Sequence, residues 1–167
     1  MSTSAGGLRP LLRWQLAAAS LGAAAIHFAV IVPHFNEYTP FGIFFLVVAW
    51  FQATWAVLVA MADDRRLLLA GVVLNAVVVL VWIWSRTAGL PIGPEPGVAE
   101  EVGAPDAIST SLEAVIIVWA TLLLTQVYRW REPSRRIVVG SAVFVWTVVV
   151  GLTALAIIAE AESTAGH

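Results

Sequence analysis

Hydrophobic residues run along the chain in five long blocks, and short polar or proline- and glycine-rich segments separate them. Each block has about the 20 residues that a helix needs to cross the hydrocarbon core of a bilayer. The pattern therefore predicts an all-α bundle of five transmembrane helices in a single membrane domain, residues 1–167. The predicted spans are residues 14–33, 41–62, 67–85, 108–128 and 137–159.

The composition supports this class of protein. Hydrophobic residues make up 60% of the 167 positions and charged residues 12%, whereas soluble domains have about 45–50% and about 25%. A soluble domain of this length has no means of burying so much apolar surface, so the lipid bilayer is the expected partner. The net charge of −2 gives no indication of nucleic-acid binding. The chain has no cysteine, so any metal site must use His, Asp or Glu.

The arginines predict an orientation, because loops on the cytoplasmic side of a membrane carry an excess of Lys and Arg. In the five-span topology Arg86 stands alone on one side, and all the other arginines lie on the opposite side. We therefore expect a multi-pass protein of the bacterial plasma (inner) membrane, with a cytoplasmic N-terminus and an extracytoplasmic C-terminus. The arginines on the cytoplasmic side are Arg9, Arg13, Arg65, Arg66, Arg129, Arg131, Arg135 and Arg136.

The segment 86–107, on the extracytoplasmic side, contains four prolines and four glycines. Such a composition excludes a regular helix or a central strand. Two interpretations stay open at this point. The segment is either an extended linker on the surface of the bundle or a folded cap, for which Leu90, Ile92 and Val98 are the candidate anchors.

Only two ionisable side chains clearly lie inside predicted spans, and these are His27 and Glu113. Such residues usually face the interior of a bundle, because exposing them to lipid is unfavourable. Each lies two helical turns inward from a second polar residue, His34 or Asp106. If spans one and four are neighbours, the four side chains form an inner layer, His27 with Glu113, and an outer layer, His34 with Asp106, within reach of Glu37.

A histidine–carboxylate set of this kind suits a divalent transition metal (Zn, Cu or Fe) and equally suits a proton relay. His27 and His34 are too far apart on one helix to bind the same ion. Alternatively, His27 and Glu113 only fasten the helices together by hydrogen bonds. Gln52 and Asn75, near the middle of their spans, are expected to support the inner layer by hydrogen bonds between helices.

The leading interpretation is a membrane protein with an outward-facing pocket that binds a divalent metal or relays a proton. The first alternative is a structural or assembly subunit, in a larger membrane complex or a homo-oligomer, that binds no ligand. The second is a membrane enzyme that uses the same pocket. An enzyme is not favoured, because no zinc-protease, phosphate-binding or nucleophile-elbow motif is present.

Three further stretches, together with the region of His27, His34 and Glu37, resemble a family of small uncharacterised multi-pass membrane proteins from actinobacteria-like, high-GC genomes. The stretches are 41–45 (Phe-Gly-Ile-Phe-Phe), 85–94 (Ser-Arg-Thr-Ala-Gly-Leu-Pro-Ile-Gly-Pro) and 105–113 (Pro-Asp through Glu). The resemblance covers most of residues 14–130. It implies a multi-pass membrane fold and provides no activity and no catalytic residue.

Overall fold

The computed structural model describes residues 8–125 and 135–165, and this part of the chain contains five α-helices. α1–α4 are long and apolar enough to cross a membrane, and α5 contains a shorter apolar stretch, Val143–Ile158. The all-α prediction is therefore confirmed. The helices are α1 (Leu8–Glu37), α2 (Thr39–Met61), α3 (Arg65–Thr87), α4 (Ala104–Thr125) and α5 (Arg135–Ala165).

α1 ends four residues later than predicted, so His34 and Glu37 lie in its last turn and not in a loop. Pro33 lies inside the helix, and the Tyr38 amide still donates to the His34 carbonyl at 2.9 Å. Only Tyr38 separates α1 from α2, which shortens the predicted 34–40 connection to one residue. A proline at the start of α2 makes this tight junction possible, because the first turn of a helix does not need the missing N–H.

The other connections also differ from the prediction by a few residues. Residues 62–64 link α2 to α3, and the Asp64 side chain caps α3 by accepting from the Arg66 amide at 2.7 Å. α4 begins at Ala104, so Asp106 lies in its first turn, where a negative charge is favourable. The predicted 129–136 connection lies outside the described residues, except for its last two positions, with which α5 begins.

α1 lies at the centre of the bundle and contacts α2, α4 and α5. Its small residues make this close packing possible, as predicted for membrane helices: Ala18 and Ala23 are fully buried, and Ala19 and Ala24 nearly so. A Cβ at Gly22 would lie 2.8 Å from side-chain atoms of Val149 and Thr153 in α5. α3 packs mainly on α4 and more lightly on α2.

The segment between α3 and α4, residues 88–103, is a folded cap and not an extended linker. The Gly97 amide donates to the Leu90 carbonyl at 2.8 Å, and the Glu100 amide donates to the Ser85 carbonyl at 3.0 Å. Of the three candidate anchors, Leu90 is half-buried, whereas Ile92 and Val98 expose about half of their surface, 53% and 54%. We call the end of the bundle that carries this cap the loop end.

Candidate functional site

The imidazole of His27 and the carboxylate of Glu113 form a buried pair at the interface of α1 and α4. The distance from His27 Nε2 to Glu113 Oε1 is 2.9 Å, and the two side chains are 4% and 1% exposed. The two helices are thus neighbours at this depth. The inner layer of the sequence prediction is present.

Gln52 and Asn75 continue the pair into α2 and α3, as expected of them. The Gln52 amide nitrogen donates to Glu113 Oε1 at 3.0 Å and lies 3.2 Å from Asn75 Oδ1. Asn75 in turn donates to the Gly71 carbonyl at 2.7 Å. On the other side, the Ser20 hydroxyl donates to the Gln52 carbonyl at 2.8 Å. One polar network therefore joins α1, α2, α3 and α4.

One carboxylate oxygen of Glu113 forms no hydrogen bond in this network. Both hydrogen bonds to the carboxylate go to Oε1, and Oε2 is buried without a hydrogen-bond partner among the described residues. Buried polar atoms in folded proteins nearly always have a partner, because an unsatisfied one is unfavourable by about 1–3 kcal/mol. Glu113 Oε2 is therefore an acceptor that is available to a further donor.

A cavity of about 450 Å³ lies beside the pair and extends to the loop end. All five residues singled out from the sequence line it, namely His27, His34, Glu37, Asp106 and Glu113. The remainder of the wall is mostly apolar and aromatic, with contributions from α2, α3 and the cap. The volume falls in the range of about 300–1,000 Å³ that is typical of small-molecule sites.

The two histidines lie at different depths of this cavity, with the ring of Phe45 near both. Phe45 is 5.5 Å from the His27 ring and 4.2 Å from the His34 ring, measured between ring centroids. His34 Nδ1 lies 2.7 Å from the Val30 carbonyl, which fixes the imidazole against its own helix. Glu37 is exposed at the loop end.

The outer layer differs from the predicted pairing of His34 with Asp106. Asp106 forms an ion pair with Arg86 of α3, and the same guanidinium pairs with Glu100 of the cap. Arg86 also donates to the Ser85 hydroxyl at 2.7 Å, and its side chain is only 12% exposed. These contacts clamp the cap to α3 and α4.

Arg86 is the main site residue that sequence reasoning missed, since it was considered only for its effect on topology. A signal was present, because Arg86 is the single arginine on its side of the predicted membrane. Four carboxylates, Glu95, Glu100, Glu101 and Asp106, follow it within 20 residues. Trp82 and Phe45 were also missed as cavity residues, because nothing in an apolar run distinguishes a side chain that faces a cavity from one that faces lipid.

Within residues 8–125 and 135–165, no three His, Asp or Glu side chains converge closely enough to hold a metal ion. The inner pair supplies only two ligating residues, His27 and Glu113. The geometry thus presents a two-residue acid–base pair next to a mostly apolar cavity.

A comparison with known protein families, with characterised proteins and with solved structures found no match. The resemblance to small membrane proteins of high-GC genomes stays a prediction. Any function must therefore be argued from the site itself.

Proposed function

We propose that this chain is a five-span protein of the bacterial plasma membrane, with its N-terminus in the cytoplasm and its cavity open to the outside. The His27–Glu113 pair at the base of the cavity binds and releases a proton. The observation that carries this proposal is the direct 2.9 Å contact between the two buried groups beside the cavity.

The chemistry of the pair supports proton binding. An imidazole ordinarily exchanges its proton near neutral pH, and a carboxylate does so in mild acid. Ionisable groups inside a bundle commonly serve proton relays. When two such groups are in contact, the charge of each affects whether the other binds a proton. The cavity connects the loop end to the pair.

The arginines support the orientation. Arg9 and Arg13 in α1 lie at the end of the bundle opposite the cap, where Arg9 pairs with Asp63 in the 62–64 connection and Arg13 donates to the Val59 and Ala60 carbonyls at the end of α2. Arg65 and Arg66 begin α3 at the same end. By the positive-inside rule this end is cytoplasmic, which makes the loop end external.

Several charged or titratable groups share the cavity with Glu113. His27 from α1 contacts it directly, and Gln52 and Asn75 from α2 and α3 are uncharged. The remaining titratable or charged groups of the cavity wall are His34, Glu37, Arg86, Glu100 and Asp106. Each of them is closer to the loop end than the inner pair is.

Infrared difference spectroscopy as a function of pH tests the proposal, because a protonated carboxyl group has a carbonyl band that a carboxylate lacks. We expect a carbonyl band whose intensity changes with pH, which is absent from Glu113→Gln and has a different pH dependence in His27→Gln. Glu101→Gln, which alters an exposed cap residue outside the cavity, is the matched control. If the wild type and Glu113→Gln show the same titrating bands, Glu113 does not exchange a proton and the proposal is wrong.

A divalent metal is the second candidate ligand, since the five His, Asp and Glu residues line one cavity. Binding Zn, Cu or Fe requires His34, Glu37 or Asp106 to approach the inner pair. Metal analysis of the purified protein tests this. Stoichiometric metal that is lost in both His27→Ala and Glu113→Ala supports the candidate, and a metal content that neither substitution changes excludes it.

Two alternatives predict other results. A structural or assembly subunit would co-purify with a stoichiometric membrane partner, and the pair would affect only stability. A membrane enzyme would convert a molecule bound in the cavity.

A further inference from the structure

We infer that the cavity binds an organic ammonium ion, a protonated amine with an apolar body, whose N–H donates to Glu113 Oε2. The inference rests on the proposed function in one respect, because it uses the same carboxylate as the proton site. It adds a ligand class to that site.

The charge of the cavity wall favours a cation. Four carboxylates line the cavity against one guanidinium, which leaves a net charge of −3 when both histidines are neutral. Arg86 is already paired with Glu100 and Asp106 through its two terminal nitrogens, so two carboxylates balance its positive charge, and only its Nε has no hydrogen-bond partner among the described residues. The carboxylate at the base, Glu113, is the one that a ligand reaches only by entering the cavity.

The free oxygen of Glu113 favours a cation with an N–H group. Glu113 is 1% exposed, lines the cavity and has no hydrogen-bond partner for Oε2 among the described residues. A donor that is also positively charged satisfies both the acceptor and the charge, and such charge-assisted hydrogen bonds are about twice as strong as neutral ones.

The size and lining favour an organic ion over a bare metal ion. A metal ion needs several converging oxygen or nitrogen ligands, and the described residues contain no such group of three. A cavity of about 450 Å³ with a mostly apolar wall instead fits a compact organic body. Aromatic rings, which attract organic cations through their faces, contribute much of this wall: Phe41, Phe44, Phe45, Trp82 and Trp84.

The inference can be tested by calorimetric titration with three probes of similar shape. The full chain is held in lipid nanodiscs at about pH 7. N,N-dimethylbenzylammonium has a charge and one N–H, benzyltrimethylammonium has the charge without the N–H, and isobutylbenzene has neither. We expect affinity to fall in that order, with about tenfold between the first and the last. Equal partitioning of all three probes would show only apolar binding and would overturn the inference.

Substitutions in the protein sharpen the result. Glu113→Gln, which keeps the shape of the side chain, should weaken binding of N,N-dimethylbenzylammonium about tenfold. Glu101→Gln, which removes a charge outside the cavity, should leave it unchanged. Phe44→Leu should weaken binding about two- to fivefold without affecting isobutylbenzene. Phe44 packs edge-to-face against Phe45 and has no role in the polar network, so this variant tests the site even if Glu113→Gln folds poorly.

The two proposals fail in different measurements. A Glu113 band that titrates while N,N-dimethylbenzylammonium does not bind would overturn the ammonium site and leave proton binding in place. Glu113-dependent binding of the ammonium probe without a titrating band would support the ammonium site and overturn proton binding. If Glu113→Gln and wild type bind the probe equally, Glu113 is not its ligand.

Discussion

His27 and Glu113 stand 86 positions apart in the chain, and their side chains meet at 2.9 Å inside the bundle. Removing either group leaves the other in a buried site without its hydrogen-bonding partner. For buried charged pairs this loss amounts to about 3–5 kcal/mol. The pair is therefore the contact whose disruption should affect the described bundle most.

The first prediction concerns this pair. His27→Ala and Glu113→Ala should each lower the thermal unfolding temperature in detergent markedly, and the double variant should lose less than the sum of the two. His27→Leu combined with Glu113→Leu should recover part of the stability, since two apolar side chains fill the volume without an unpaired charge. Ser111→Ala, an exposed position on α4, is the control. Additive losses would mean that the two residues act independently.

The pair was predictable because depth in a membrane can be read directly from sequence. His27 and Glu113 each lie seven residues inward from a polar residue at a helix end, and the mid-span positions of Gln52 and Asn75 placed them at a similar level. Ionisable and amide groups at mid-membrane find few hydrogen-bond partners except each other. The network follows from this scarcity.

The outer layer was not predictable, because its pairs depend on how an irregular segment folds. Asp106 was predicted to lie beside His34, and its pairing with Arg86 instead follows from the path of the cap, which brings Glu100 to the same guanidinium. The predicted first span ended at residue 33 and left His34 in the connection, yet the helix continues through Pro33 to Glu37. Tertiary packing, and not the local sequence at the helix ends, therefore determines these contacts.

The second prediction concerns the clamp at the loop end. Arg86→Lys keeps the charge, but an ammonium group lacks the planar fork that lets Arg86 hold Glu100, Asp106 and Ser85 together. Hydrogen exchange in the cap, measured at the Glu100 amide that donates to Ser85, should become faster by about fivefold or more. Arg66→Lys, at an exposed position in α3, should leave this rate unchanged. An unchanged rate in Arg86→Lys would show that backbone contacts alone hold the cap.

The third prediction compares two glycines of the cap. Gly89 and Gly97 both have positive φ angles, 71° and 78°, so alanine is strained at either position by about 1–2 kcal/mol. A Cβ at Gly89 would also lie 2.4 Å from the Gly97 carbonyl carbon, whereas a Cβ at Gly97 meets nothing within 4 Å. Gly89→Ala should therefore lower the unfolding temperature more than Gly97→Ala and accelerate exchange throughout residues 88–103. Equal effects would indicate that only the backbone conformation matters.

The fourth prediction concerns pH at the opposite end of the bundle. The hydrogen bond from Arg9 lowers the pKa of Asp63 below its ordinary value. The pair therefore stabilises the folded protein above about pH 4, and this contribution is lost as the pH falls through the lowered pKa. Because both side chains are more than one-third exposed, the effect should be only about 0.5 kcal/mol. The free energies of unfolding of wild type and Asp63→Asn should differ by this amount at neutral pH and become equal in acid. A difference that persists in acid would contradict the prediction.

The last prediction concerns the topology, and the absence of cysteine makes it straightforward to test. Single cysteines at Ala62, Glu95 and Glu162, all at exposed positions, can be labelled in intact cells with a thiol reagent that does not cross membranes. If the loop end is external and α5 crosses the membrane, Glu95→Cys and Glu162→Cys react, and Ala62→Cys reacts only after the cells are opened. Labelling of Ala62→Cys in intact cells would reverse the orientation and place the cavity on the cytoplasmic side. Protection of Glu162→Cys together with Ala62→Cys would mean that α5 does not cross the membrane and that α1–α4 alone span it.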